Sequence, residues 1–150
     1  MRDAIHADEK GEKRAIVAIV DVPSQAYGWR EELFGIFLAA AAATDAYVSA
    51  RLAGHPVISV LAGHAISGGY LTHGAQSNRL LAFNDPGVMI HAMAKKAAAL
   101  VTRRSVEELD KLAEKVIPMS YKVEDYAKLG TLYKLIDGVN VDFVPKSCCL

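Results

Sequence analysis

Two short apolar runs constrain this chain most. Ala15–Val20 (AIVAIV) and Val57–Leu61 (VISVL) are rich in β-branched residues and lack the polar alternation of a half-exposed strand. Runs of this kind belong to strands covered on both faces, as in a parallel sheet flanked by helices. Each run leads into a glycine-bearing loop and then into a helix. The first is followed by the loop Val22–Gly28 and a helical stretch from Arg30 to about Leu52, with Ala39–Ala43 at its centre. Gly54, His55 and Pro56 break that helix before the second run. The second run is followed by Gly63–Gly69 (GHAISGG) and a tightly packed helix over Tyr70–Ser77. The repeated order of buried strand, loop and helix predicts an α/β fold, with both loops at carboxyl ends of strands on one side of the sheet.

Leu80–Phe83 and Val88–Ile90 read as two further strands, separated by the turn Asn84-Asp85-Pro86-Gly87. Ala92–Val101 suits a helix. Ser105-Val106-Glu107-Glu108 has the form of a capping box and opens a helix to about Val116, which Pro118 bars from continuing. A last helix spans Val123–Leu129 and stops at Gly130. With 150 residues, 52% of them hydrophobic, one core is expected. The expected division is a polar segment over residues 1–14, one domain over 15–137 and an unassigned tail over 138–150.

Seventeen basic residues balance seventeen acidic ones, so no bulk field draws the chain to nucleic acid or an anionic membrane. Met1–Arg14 lacks the basic-then-apolar order of a secretory signal, and a cytoplasmic location follows by default. The alanine-rich apolar run Leu33–Thr44 is about a dozen residues long, whereas a membrane span needs roughly 20. Cys148 and Cys149 are adjacent, without the CxxC spacing of a zinc or redox site.

The chemistry concentrates at Ser67-Gly68-Gly69, where a strand gives way to a helix. Backbone N–H groups and the positive end of a helix dipole meet there, a combination that stabilises developing negative charge. Glycine lets a substrate carbonyl come within about 3 Å of the backbone. A tight helix–strand packing turn would call for the same residues. Tyr27 and Gly28, in the other strand-end loop, are expected to line the same cleft, with Ile66 beside them. Glu31 and Glu32 fall in the first turn of the following helix, where their charge is favourable. His55, His64 and His73 lack the HExxH spacing of a metal site, and none is expected; His73 reads as a hydrogen-bonded core residue. Lys95 and Lys96 could meet a phosphate, although a solvated helix face explains them as well.

The block Asp21-Val22-Pro23-Ser24-Gln25-Ala26-Tyr27-Gly28, with Arg30-Glu31-Glu32 and Gly35, resembles the corresponding block of malonate decarboxylase gamma subunits. So do Ala53-Gly54-His55-Pro56-Val57, Ser67-Gly68, His73-Gly74, Gln76, Asn78-Arg79-Leu80 and Val88-Met89-Ile90-His91-Ala92-Met93, in the same order. A looser version, with the SGG element kept, marks the alpha-type carboxyltransferase half of bacterial acetyl-CoA carboxylase. The resemblance covers about Ile16 to Leu135. It implies the ClpP/crotonase fold of repeated ββα units, and a further N-terminal region of that core that this chain does not carry.

It also implies a subunit that decarboxylates a malonyl thioester, with Gly68 and Gly69 as oxyanion donors, Ser67 beside them and His91 as a candidate proton donor. No cofactor would be bound directly, because the substrate rides on the CoA-derived prosthetic group of an acyl-carrier subunit. The implied partners are that carrier and a homologous beta-type subunit, in a hetero-oligomer. Two alternatives stand beside this reading. Gly63-x-Ala65-x-Ser67 and Val88-Met89-Ile90-His91 also resemble the serine and histidine motifs of Clp proteases, which would make Ser67 a nucleophile and His91 its base. A non-catalytic assembly subunit is the other.

Overall fold

In the computed structural model, which describes residues 1–138, one long strand organises the rest. The elements are α1 (Arg2–Ala7), β1 (Ile16–Val22), α2 (Trp29–Leu33), α3 (Ile36–Leu52), β2 (Val57–Ile66), a π-helix (Gly69–Gly74), β3 (Arg79–Phe83) and β4 (Met89–His91). They continue with α4 (Lys95–Thr102), α5 (Val106–Ala113), a 3-10 turn (Ile117–Met119), α6 (Val123–Lys128) and β5 (Lys134–Ile136). The expected tail, with Cys148 and Cys149, lies outside the described residues from position 139 onward.

β2 is flanked on one side by β1, from Ile16↔Val57 to Val20↔Leu61, and every strand pair in the sheet is parallel. Its other side is shared. β3 takes the first half, from Ile58↔Arg79 to Leu61↔Ala82, and β4 takes the end, from His64↔Met89 to Ile66↔His91. β5 adds to the outer side of β3. The main core gathers on one face: Val20, Leu61 and Ala65 pack with Leu80, Ala82 and Ile90 of the neighbouring strands and with Val123 and Tyr126 of α6. Tyr47 and Ala50 of α3 cover Val57 further along the same face, with Ile5 of α1 packed against them. The opposite face of β1 is open, with Val17 and Ile19 exposed, so Ala15–Val20 is not the strand covered on both faces that its unbroken apolar run predicts.

Several local readings need correction. β2 does not end at Leu61 but continues through Gly63 to Ile66. The register shifts between Val20 and Val22, and the Asp21 carboxylate accepts the His64 N–H at 2.8 Å across the irregularity. A side chain from a different strand thus keeps the segment extended, which no local pattern reveals. The helix expected from Arg30 to Leu52 is two helices, broken at Gly35, whose φ of 75° lies in the left-handed region. α4 begins at Lys95 rather than Ala92, and α5 ends at Ala113 rather than Val116. The segment over residues 1–14, read only as polar, contains α1, and β5 was not anticipated. Its three residues form a strand only because β3 offers them a free edge.

Candidate functional site

The site is built where β2 runs out. Ile66 is its last residue and is buried, at 4% exposure. The chain then turns at Ser67, whose φ of 53° is left-handed and unusual for a residue with a Cβ. Two hydrogen bonds hold it there. Its N–H donates to the His91 carbonyl at 2.9 Å, and its own carbonyl accepts the Leu71 N–H at 2.9 Å. A non-glycine residue kept in this region by its surroundings stores about 1–3 kcal/mol, and such strain clusters at functional sites.

Gly68 and Gly69 follow as cap and first residue of the π-helix, a form found mostly at functional positions. Neither N–H has an intrahelical acceptor at this helix start. The two glycines face different surroundings. Gly69 is buried against β1, where a Cβ would collide with the Val22 carbonyl and lie 2.7 Å from Val22 Cβ. Gly68 is only half-buried, and a Cβ there would meet the Gln25 side chain alone.

Beside this turn lies a cleft of about 500 Å³. Its wall is apolar where Phe37 and Ala40 of α3, Leu71 of the π-helix and Met93 face it, and Glu32 and Thr72 add polar atoms. Of the residues expected at the site, Tyr27, Ser67 and Gly68 line this cleft. Ile66 and Gly69 support it from within. Gly28 does not reach it: it caps α2, with the Glu31 carboxylate where a Cβ would point.

His91 is held close to Ser67 through the main chain, while its ring is engaged elsewhere. Its Nδ1 lies 2.9 Å from the Met93 carbonyl and 3.0 Å from the Met93 N–H, and the ring stacks on Tyr121 at 4.1 Å between centroids. Tyr121 in turn donates to the Met93 carbonyl at 2.6 Å. Burial pushes the imidazole below its ordinary 6.5, partly offset by hydrogen bonds with the backbone of Met93 and Pro118. Among the described residues no hydrogen bond joins the Ser67 hydroxyl to His91.

His73 and His55 have structural partners. His73 Nδ1 lies 3.3 Å from the Tyr47 hydroxyl with the rings edge to face, and buried His55 Nδ1 lies 2.9 Å from the Arg14 carbonyl. No group of three His, Cys, Asp or Glu side chains suited to a metal occurs among the described residues. Lys95 pairs with Asp110 at 2.6 Å and lies over the Tyr121 ring. The residue missed at the site is Gln25, whose Oε1 accepts the Gly68 N–H at 2.8 Å. The two are 43 positions apart, so only the neighbouring ends of β1 and β2 reveal the contact.

A parallel sheet with helices, carrying an N–H-bearing glycine turn at the end of a central strand, places the chain in the crotonase-like class of α/β folds. Within that class, the model of the malonate decarboxylase gamma subunit matches residues 2–146, and the chain belongs to that family. It is 34% identical over 135 residues to the malonyl-S-ACP:biotin-protein carboxyltransferase MADD of Malonomonas rubra, covering 89% of this chain and 46% of that protein. Among solved structures, it is similar to a chain of a Pseudomonas malonate decarboxylase hetero-tetramer in complex with coenzyme A. That likeness has 56% identity and a TM-score of 0.90, over 97% of this chain and 56% of the other. A Pseudomonas MdcD–MdcE hetero-dimer matches with 54% identity and a TM-score of 0.86, over the same shares of the two chains. The chain therefore spans about half the length of the relatives it matches.

Proposed function

We propose that residues 15–137 form the gamma-type unit of a cytoplasmic malonate decarboxylase that acts with a beta-type subunit on a malonyl thioester carried by an acyl-carrier protein. Family membership supports the reaction class, and the Gly68 N–H, held by the exposed Gln25 side chain at the mouth of an apolar cleft, is the observation that carries the assignment of the site. The bond between the thioester α-carbon and its carboxylate breaks, carbon dioxide leaves, and the electron pair moves onto the thioester carbonyl as an enolate. A proton added at the α-carbon then gives the acetyl thioester. The Gly68 N–H, at the start of a helix and beside apolar walls, stabilises the enolate oxygen as its charge grows, a contribution worth about 2.7–4 kcal/mol for one such donor. Gly69, buried against Val22, shapes the turn that presents Gly68.

Tyr27 borders the acyl group from the loop, Ile66 backs the turn from the buried strand end, and Gly28 fixes the entry of α2 beside Tyr27. His91 acts as a positioning residue, because its carbonyl holds the Ser67 N–H while its ring leans on Tyr121. That arrangement gives the serine-hydrolase reading less support than the decarboxylase.

The test is carbon dioxide release from a malonyl thioester by the complex reconstituted with carrier and beta-type subunit. Gly68→Ala is expected to lower kcat/KM at least tenfold while the complex still assembles, since a methyl there meets only a flexible side chain. Full activity of that variant sinks the site assignment. Ester hydrolysis with fluorophosphonate labelling of Ser67, and no carbon dioxide, favours the Clp-like alternative instead.

A further inference from the structure

The Gly68 N–H is already occupied. Gln25 Oε1 accepts it at 2.8 Å, and the Ser24 hydroxyl steadies the same oxygen at 3.3 Å. The Gln25 Cβ and carboxamide carbon lie 3.1 and 3.2 Å from where a Cβ on Gly68 would stand, so the whole side chain covers this glycine. Both Ser24 and Gln25 border the cleft. Gln25 itself is exposed and free to change rotamer. A carboxamide carbonyl is the chemical likeness of a thioester carbonyl: a planar C=O whose oxygen accepts a hydrogen bond.

On the reading of Gly68 as the oxyanion donor, we infer that Gln25 sets the affinity of the site, as a built-in competitor that the acyl thioester must displace from the Gly68 N–H. The strengths of the three acceptors give this arrangement its consequence. An amide oxygen is a better acceptor than a thioester oxygen, so Gln25 opposes binding of the ground state. An enolate oxygen carries charge and makes a hydrogen bond roughly twice as strong as a neutral one, so it outcompetes the amide. Displacing Gln25 costs thioester and enolate the same hydrogen bond, so the residue weakens binding uniformly and raises KM without changing kcat, and only a charged oxygen more than offsets that cost. Carbonyl compounds that cannot build charge on their oxygen are kept weakly bound.

Steady-state kinetics of the reconstituted complex with Gln25→Ala and Gln25→Met test this, since the methionine keeps the length and discards the carbonyl. Both variants are expected to lower KM for the malonyl thioester about fivefold, the worth of one neutral hydrogen bond, without a matching gain in kcat. Gln25→Glu restores an acceptor and is expected to return KM to the wild-type value or above it. Hydrogen exchange of the peptide spanning residues 66–71 in the ligand-free complex should quicken in the Ala and Met variants and slow again with Glu. An unchanged or raised KM in the Ala and Met variants overturns the inference. If Gly68→Ala costs activity while these variants leave KM as it was, the oxyanion site stands and Gln25 has no part in it; if Gly68→Ala is fully active, the site assignment itself fails.

Discussion

Ser67, Gly68 and Gly69 are consecutive, yet each answers to a different physical demand. Ser67 carries backbone strain, Gly68 a donor held by Gln25 and Gly69 a close approach to β1. Substitutions should separate the three. Ser67→Val, which puts a β-branched residue at φ 53°, is expected to lose about 1–3 kcal/mol in denaturant unfolding, whereas Ser67→Gly should match or exceed the wild type. Ser67→Ala should retain substantial carbon dioxide release, because the proposed chemistry uses the backbone. Gly69→Ala is expected to lower Tm, since the added methyl has nowhere to go but into Val22, and Gly68→Ala should lower activity with Tm little changed. The glycines were legible in the sequence as a pair; their division of labour was not, because it depends on which one lies under a neighbouring strand.

At the scale of elements, β4 links the site to the segment Pro118–Tyr121. His91 ends β4 and pairs with Ile66, and its ring is enclosed by Met93 and Tyr121. Because burial holds this imidazole below 6.5 in the folded chain, the unfolded state binds its proton first as the pH falls. Its contribution is fully present above about pH 6.5 and is lost progressively as the pH falls towards the folded value. Thermal unfolding between pH 7.5 and 5, values on the order of those bracketing a histidine, should show a Tm loss that is smaller in His91→Gln; equal losses would remove His91 as the cause. α5 offers an independent test of local reasoning. Its capping box forms as the sequence indicates, with Glu108 N–H to Ser105 Oγ at 3.1 Å and Ser105 N–H to Glu108 Oε2 at 2.8 Å. Ser105→Ala should cost about 1 kcal/mol, seen as faster amide exchange across α5.

At the scale of the whole molecule, apolar surface remains uncovered. Val17 and Ile19 of β1 are 54% and 67% exposed, and Trp29, Leu33, Phe34, Phe37 and Leu38 crowd the outer side of α2 and the start of α3. Patches of this kind mark surfaces that another chain or domain covers. Co-expression with a beta-type subunit is expected to yield a hetero-complex burying more than the roughly 1,600 Å² of a standard interface. A soluble monomer whose unfolding temperature does not change when the partner is added would contradict the subunit reading.

The unbroken apolar runs determined the strands β1 and β2, because consecutive β-branched residues suit an extended chain that is apolar on both faces, but only one face of β1 is covered within this chain. The capping box and Gly130 determined helix ends for a similar reason: the groups that satisfy those ends lie within a few residues of them. The family blocks pointed to the reaction class and to the Ser67–Gly69 turn. Tertiary structure alone decided that β2 extends to Ile66, that Gly68 rather than Gly69 opens on the cleft, that the His91 ring is spent on Met93 and Tyr121, and that Gln25 sits on the Gly68 N–H. The first and last of these depend on contacts 43 residues apart in the chain, and such contacts exist only once β1 and β2 are aligned in register.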